Sequence, residues 1–92
     1  MHTLKTWPPY FEQLWNRRKA FELRPDDRGF QHGDTLRLKE WDPRSGEYSG
    51  RVIDAKVTCI VRDVPEFGLK PGFCILGIVE EMRLPDVSEL GG

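Results

Sequence analysis

Alanine occurs only twice in the 92 residues. The best helix former is therefore nearly missing, while Val and Ile together number ten, a balance that favours strands over helices. No apolar run approaches the roughly 18 residues that a helical membrane span needs, so no membrane partner is expected. Cysteine is limited to Cys59 and Cys74, with no C-x-x-C spacing and no His pair nearby. They read as buried thiols in a reducing compartment, and no metal site is expected. No excess of one charge exists either: 14 Lys and Arg face 15 Asp and Glu, a net charge of −1. A strongly basic chain that coats nucleic acid is thereby excluded. No glycine-rich loop opens a helix and no serine has a glycine-flanked elbow, so neither a P-loop nor a serine hydrolase is supported, and no cofactor is expected. The first ten residues hold His2, Lys5, Pro8 and Pro9 instead of an apolar core, so no signal peptide is read and a cytoplasmic location is expected.

What is present suits one small domain. Leu, Ile, Val and Phe total 24, enough for a core, and Gly and Pro total 16, enough for many turns. The charge is uneven along the chain. Residues 1–39 carry eight Lys and Arg against five Asp and Glu, while residues 40–92 carry six against ten. A local basic face remains open where a global one does not.

His2–Thr6 reads as an opening strand. Pro8 and Pro9 start a helix whose stripe is Phe11, Leu14, Trp15 and Arg18, ending near Asn16–Arg18 with basic residues in its last turn. Residues 20–24 alternate as a half-buried strand, with Phe21 and Leu23 on one face and Glu22 and Arg24 on the other. Further strands are expected over Thr35–Trp41, Arg51–Arg62 and Phe73–Val79, the last buried on both faces. In the third of these four, Ile53, Ala55, Val57, Cys59 and Val61 share a face, and Ile60 breaks the pattern. Asp42–Gly46 is a hairpin loop, and residues 82–92 are expected to fray as a tail behind a domain over residues 1–81. The order fits a mainly β, five- to six-stranded, partly closed barrel with one principal helix near the N-terminus.

The densest polar cluster is Arg17–Arg24. If the Glu22–Arg24 face lines a cleft, Arg24 suits a phosphate and Glu22 suits a base amino group; the competing reading is a solvated strand face with a weak ion pair. Trp7 and Trp41 stand beside turn or polar residues, where an indole either stacks on a base or closes the rim of a small core. Trp15, on the helix stripe, reads as core.

Lys19-x-x-Glu22-x-Arg24 after a Pro-started helix, followed by Phe30-Gln31-His32-Gly33-Asp34, resembles the ASCH domains of the PUA-like superfamily. Residues 37–41, Gly46-Glu47-Tyr48 and Phe67–Phe73 look like a small bacterial and phage branch of it, of uncharacterised function. The resemblance spans about residues 2–80 and implies a PUA-like pseudo-barrel with an RNA- or nucleoside-binding cleft beside the helix. The family motif is Gly-x-Lys-x-x-Glu-x-Arg. Arg17 stands at its glycine position, where a left-handed residue would end the helix, a role that Asn16 could take instead.

An RNA- or nucleotide-binding module is thus expected, with Lys5, Lys19 and Arg24 on phosphate, Glu22 orienting the base or pinning Arg24, and Trp7 or Trp41 stacking. Two alternatives stand beside it. Some ASCH relatives are amidohydrolases of acylated cytidine that use Lys, Thr and Glu. Here Lys19 and Glu22 would serve, but Glu22 occupies the threonine position, so a hydroxyl would have to come from Thr6, Thr35 or Thr58. The other alternative is a protein-interaction module whose strand edge pairs with a partner.

Overall fold

The computed structural model describes residues 1–85. Five strands and one helix follow in the order β1 (His2–Thr6), α1 (Pro8–Trp15), β2 (Phe21–Pro25), β3 (Thr35–Asp42), β4 (Glu47–Val61) and β5 (Phe73–Leu84), with a 3-10 turn at Pro65–Phe67. They form one sheet in the order β1-β3-β4-β5-β2. β1 runs parallel to β3, and the other pairs are antiparallel. The first two strands of the chain are therefore the two edges of the sheet. The sheet curls into a half-barrel around Leu4, Leu36, Leu38, Ile53, Val57 and Leu76, and Phe11 and Leu14 of α1 fill its interior. The mainly β barrel-like architecture expected from composition and patterning is the one observed. No helix among the described residues is long and apolar enough to cross a membrane.

α1 ends at Trp15, earlier than its basic residues suggested, so its last turn carries none of them and Arg18 is an exposed residue beyond the stripe. Arg17 makes the stop. Its φ of 60° is left-handed, and the amides of Arg18 and Lys19 turn back onto the Gln13 carbonyl at 2.9 and 3.2 Å. Asn16, with φ −85°, does not take that role.

Three strand expectations are corrected. β2 alternates as read, but with its faces exchanged: Glu22 is 2% exposed, whereas Phe21 and Leu23 are 46% and 55% exposed. In β4, register shifts between Asp54 and Ala55 and between Val57 and Cys59 reverse the alternation. Ile60 then packs on the core, and Cys59 and Val61 face outward, so only Cys74 is a buried thiol. Cys59 lies opposite Gly77, whose missing side chain leaves room for the thiol; a Cβ there would collide with Sγ. Finally, β5 runs through Leu84, opposite Val52, past the boundary expected at residue 81. Over residues 73–78 it alternates between buried and half-buried residues instead of burying both faces, and Val79 is exposed. The rest of the expected tail, residues 86–92, lies outside the described residues.

One ion-pair network fastens α1 to the sheet. The Arg51 guanidinium grips Glu40 in fork geometry at 3.0 and 2.9 Å and reaches Glu12 of α1 at 2.7 Å, while Ser49 donates to Glu40 at 2.6 Å. Arg51 also lies 4.9 Å from the Trp15 ring centroid and Arg83 lies 4.1 Å from it, so this partly buried indole is flanked by two cations. Hydrogen bonding to Arg51 holds both the Glu12 and the Glu40 carboxyl below the usual range. Depressed folded values mean that the network's stability is complete above the unfolded range, about pH 4.5, and is lost as pH falls through the folded values. Arg51→Ala leaves buried Glu40 without its cation and should cost about 2–4 kcal/mol in urea unfolding. It should also flatten the acid dependence of unfolding followed by circular dichroism.

Candidate functional site

A cleft of about 680 Å³ opens along the seam between the two edge strands. Lys5 and Thr6 come from the end of β1, Trp7 from the cap residue before α1, Tyr10 and Gln13 from α1, Lys19 from the turn after α1, and Phe21, Glu22, Leu23 and Arg24 from β2, with Phe73 of β5 beside them. Short chain segments explain the convergence. β1 runs directly into α1, and the left-handed turn at Arg17 drops the chain onto β2 at the far edge of the sheet.

Glu22 is the centre of the site. Its Oε2 accepts from Arg24 Nε at 2.8 Å. Its Oε1 is buried, accepts no hydrogen bond among the described residues, and has Lys19 Nζ at 3.5 Å. The same Lys19 ammonium lies over the rings of Phe21 and Tyr10, at 5.1 and 5.4 Å from their centroids. The Lys19 ammonium balances the charge of Oε1 without a hydrogen bond, so this buried oxygen is open as an acceptor among the described residues.

Arg24 closes the seam. Its Nη2 donates to the Lys5 carbonyl at 2.9 Å and to Thr6 Oγ1 at 3.0 Å. One guanidinium thus joins β2 to β1 and fixes Glu22 at the same time, and these contacts commit its Nε and Nη2 to the protein.

Of the residues singled out in the sequence, Lys5, Trp7, Lys19, Glu22 and Arg24 all line the cleft. Trp41 does not line it; it lies on the outer sheet face, where Lys5 Nζ sits 4.4 Å from its ring centroid. Tyr10, Gln13, Phe21, Leu23 and Phe73 were missed, Phe21 and Leu23 because their alternation was read as the core face of β2. Tyr10 lies in the first turn of the Pro-started helix that Trp7 caps, a proximity legible in the sequence. Phe73 carried no such signal, because only strand pairing brings it beside Pro25. Cys74 takes no part: burial pushes its thiol up, away from the thiolate a nucleophile requires. No group of three His, Cys, Asp or Glu side chains among the described residues gathers in a way that could hold a metal ion.

The fold and cleft define a small β half-barrel with a charged, aromatic-walled seam. The profile of the family described as a domain of unknown function (DUF3850) matches residues 1–78, and the chain belongs to that family. It is also similar to the "uncharacterized 12.9 kDa protein in GpA 3'region" of Escherichia phage P2, with 36% identity over 58 residues, 63% of this chain and 51% of that protein. The chain thus spans about half the length of this relative.

Two substitutions test the construction of the site. Arg24→Lys keeps the charge but cannot serve Glu22, Lys5 and Thr6 together, and should lower stability by about 1–3 kcal/mol in chemical denaturation. Arg17→Gly removes the left-handed backbone penalty and gives up only an exposed pair with Glu80 at 3.4 Å. It should raise stability by about 0.5–1 kcal/mol, read as a higher denaturation midpoint.

Proposed function

We propose that this chain is an RNA- or nucleotide-binding module acting in the cytoplasm, and that the seam cleft beside α1 is its binding site. The observation that carries the reading is Glu22, buried at the cleft with Oε1 lacking a hydrogen bond between two cationic side chains and aromatic walls. A base enters between Trp7, Tyr10 and Phe21 and presents an amino group to Oε1 as Lys19 swings aside on its flexible stem. Lys19 and exposed Lys5 then face phosphate, while Arg24 keeps the carboxylate in place. The ASCH and PUA-like resemblance belongs to the same proposal. Support for it comes from Arg17, which adopts the left-handed backbone that the motif's glycine would supply.

A second reading is favoured by one contact. Thr6, from the other edge strand, brings its hydroxyl into the cleft that also holds Lys19 and Glu22. A hydroxyl, an amine and a carboxylate in one cleft are the groups that an amidohydrolase of acylated nucleosides would use.

Lys19→Arg separates the two. In a binder the charge is kept, and affinity for a nucleotide or short RNA should change by less than about tenfold, ~1.4 kcal/mol. In a hydrolase a guanidinium with a pKa above about 12 cannot exchange protons near neutrality. Release of cytidine from acetylated cytidine by the wild-type protein, abolished in Lys19→Arg, would decide for the enzyme. Absence of both turnover and binding at low salt, across nucleotides and RNA lengths, would overturn both readings.

A further inference from the structure

The outer face of β1 and β3 carries a charge arrangement that stability alone disfavours. Lys5 and Lys39 are direct register partners on adjacent parallel strands, and both project from the solvent face. Neighbouring strands are only about 4.8 Å apart, and like charges placed opposite one another oppose pairing. Neither lysine has a carboxylate within ion-pair distance among the described residues, whereas Arg37, Arg51, Arg62 and Arg83 all do. Each ammonium instead lies over an aromatic ring, Lys5 at 4.4 Å from the Trp41 centroid and Lys39 at 4.5 Å from that of Tyr48. Arg28, also without an acidic partner, is anchored alongside by its bond to the Thr3 carbonyl at 3.1 Å. The acidic hairpin residues Asp42 and Glu47 border the face near Tyr48 and bound the patch there.

Cations interleaved with rings on a sheet surface are the elements of a single-strand platform, where the cations follow phosphates and the rings stack on bases. Lys5 belongs to both this face and the cleft, and Trp7 follows it by two residues, so the two surfaces are continuous. We propose that the β1–β3 face, through Lys39, Lys5 and Trp41, carries a single-stranded nucleic acid whose adjoining nucleotide occupies the cleft. This rests on the nucleic-acid reading above and specifies its ligand as a polymer of several nucleotides, not a free nucleotide.

The test compares labelled RNA and DNA decamers with nucleoside monophosphates over a salt series, using the full chain, Lys39→Gln, Lys39→Arg and, as a control beside the opposite edge of the sheet, Lys70→Gln. Lys39→Gln should weaken decamer binding about three- to tenfold and reduce the salt slope by about 0.7. It should leave monophosphate binding within about twofold, and its thermal midpoint should stay within about 3 °C of the wild type, because a like-charge contact and a cation–π contact are lost together. Lys39→Arg should restore affinity and slope, and Lys70→Gln should change neither. The RNA and DNA arms show which polymer is preferred. Decamer affinity and slope that are indifferent to Lys39→Gln would overturn the platform while leaving monophosphate binding, and with it the cleft reading, intact. Lys39-dependent decamer binding without monophosphate binding would support the platform and overturn the cleft reading. Binding to anionic phospholipid vesicles or polyglutamate with equal Lys39 dependence, and not to decamers, would overturn the platform, as would no binding by either ligand.

Discussion

The half-barrel depends on a contact between its two free edges that no backbone ladder makes. β1 and β2 end the sheet on opposite sides, and the Arg24 guanidinium spans the gap to the Lys5 carbonyl and the Thr6 hydroxyl. Barrel closure normally comes from continuous strand pairing. Here a side chain substitutes for the missing ladder, and the space that a paired strand would fill is the cleft. The same guanidinium holds Glu22 at 2.8 Å, so fold closure and site geometry share one group.

Much of this was legible in the chain. The scarcity of alanine, the alternations and the Gly- and Pro-rich turns indicate a strand-dominated domain, and the Lys19, Glu22 and Arg24 cluster marks the cleft. The errors have a common physical origin. In β2, a hydrophobicity rule places Phe21 and Leu23 inside, but burial of a carboxylate is compensated once two cations surround it. Those cations lie beside Glu22 only because the chain turns sharply at Arg17, a non-glycine residue in a left-handed conformation that local propensity would not assign. In β4, bulges reverse the alternation at Cys59, and bulges arise from pairing with β5 rather than from the strand's own residues. Trp41 was grouped with the cleft because sequence cannot tell which face of β3 adjoins it.

Charge along the chain also differs from charge in space. Six Lys and Arg against ten Asp and Glu make the second half, residues 40–92, acidic in sequence. Its carboxylates are instead widely engaged: Asp54 with Arg37 in a fork at 2.9 Å, and Glu80 with Arg83 at 2.7 and 2.8 Å. Asp26 of the first half likewise binds Arg62 of the second at 2.7 Å. Internal pairing removes these charges from the long-range field, and the lysines of β1 and β3 are left to dominate their own face.

A seam fastened by side chains has a different mechanics from one fastened by a ladder. A strand pair opens only by losing a series of cooperative backbone bonds, whereas this closure rests on a few side-chain hydrogen bonds from Arg24 and Arg28. The width of the groove is therefore an adjustable dimension. Its two banks can part while the three central strands keep their pairing, and the energy scale of that motion is a few hydrogen bonds instead of global unfolding.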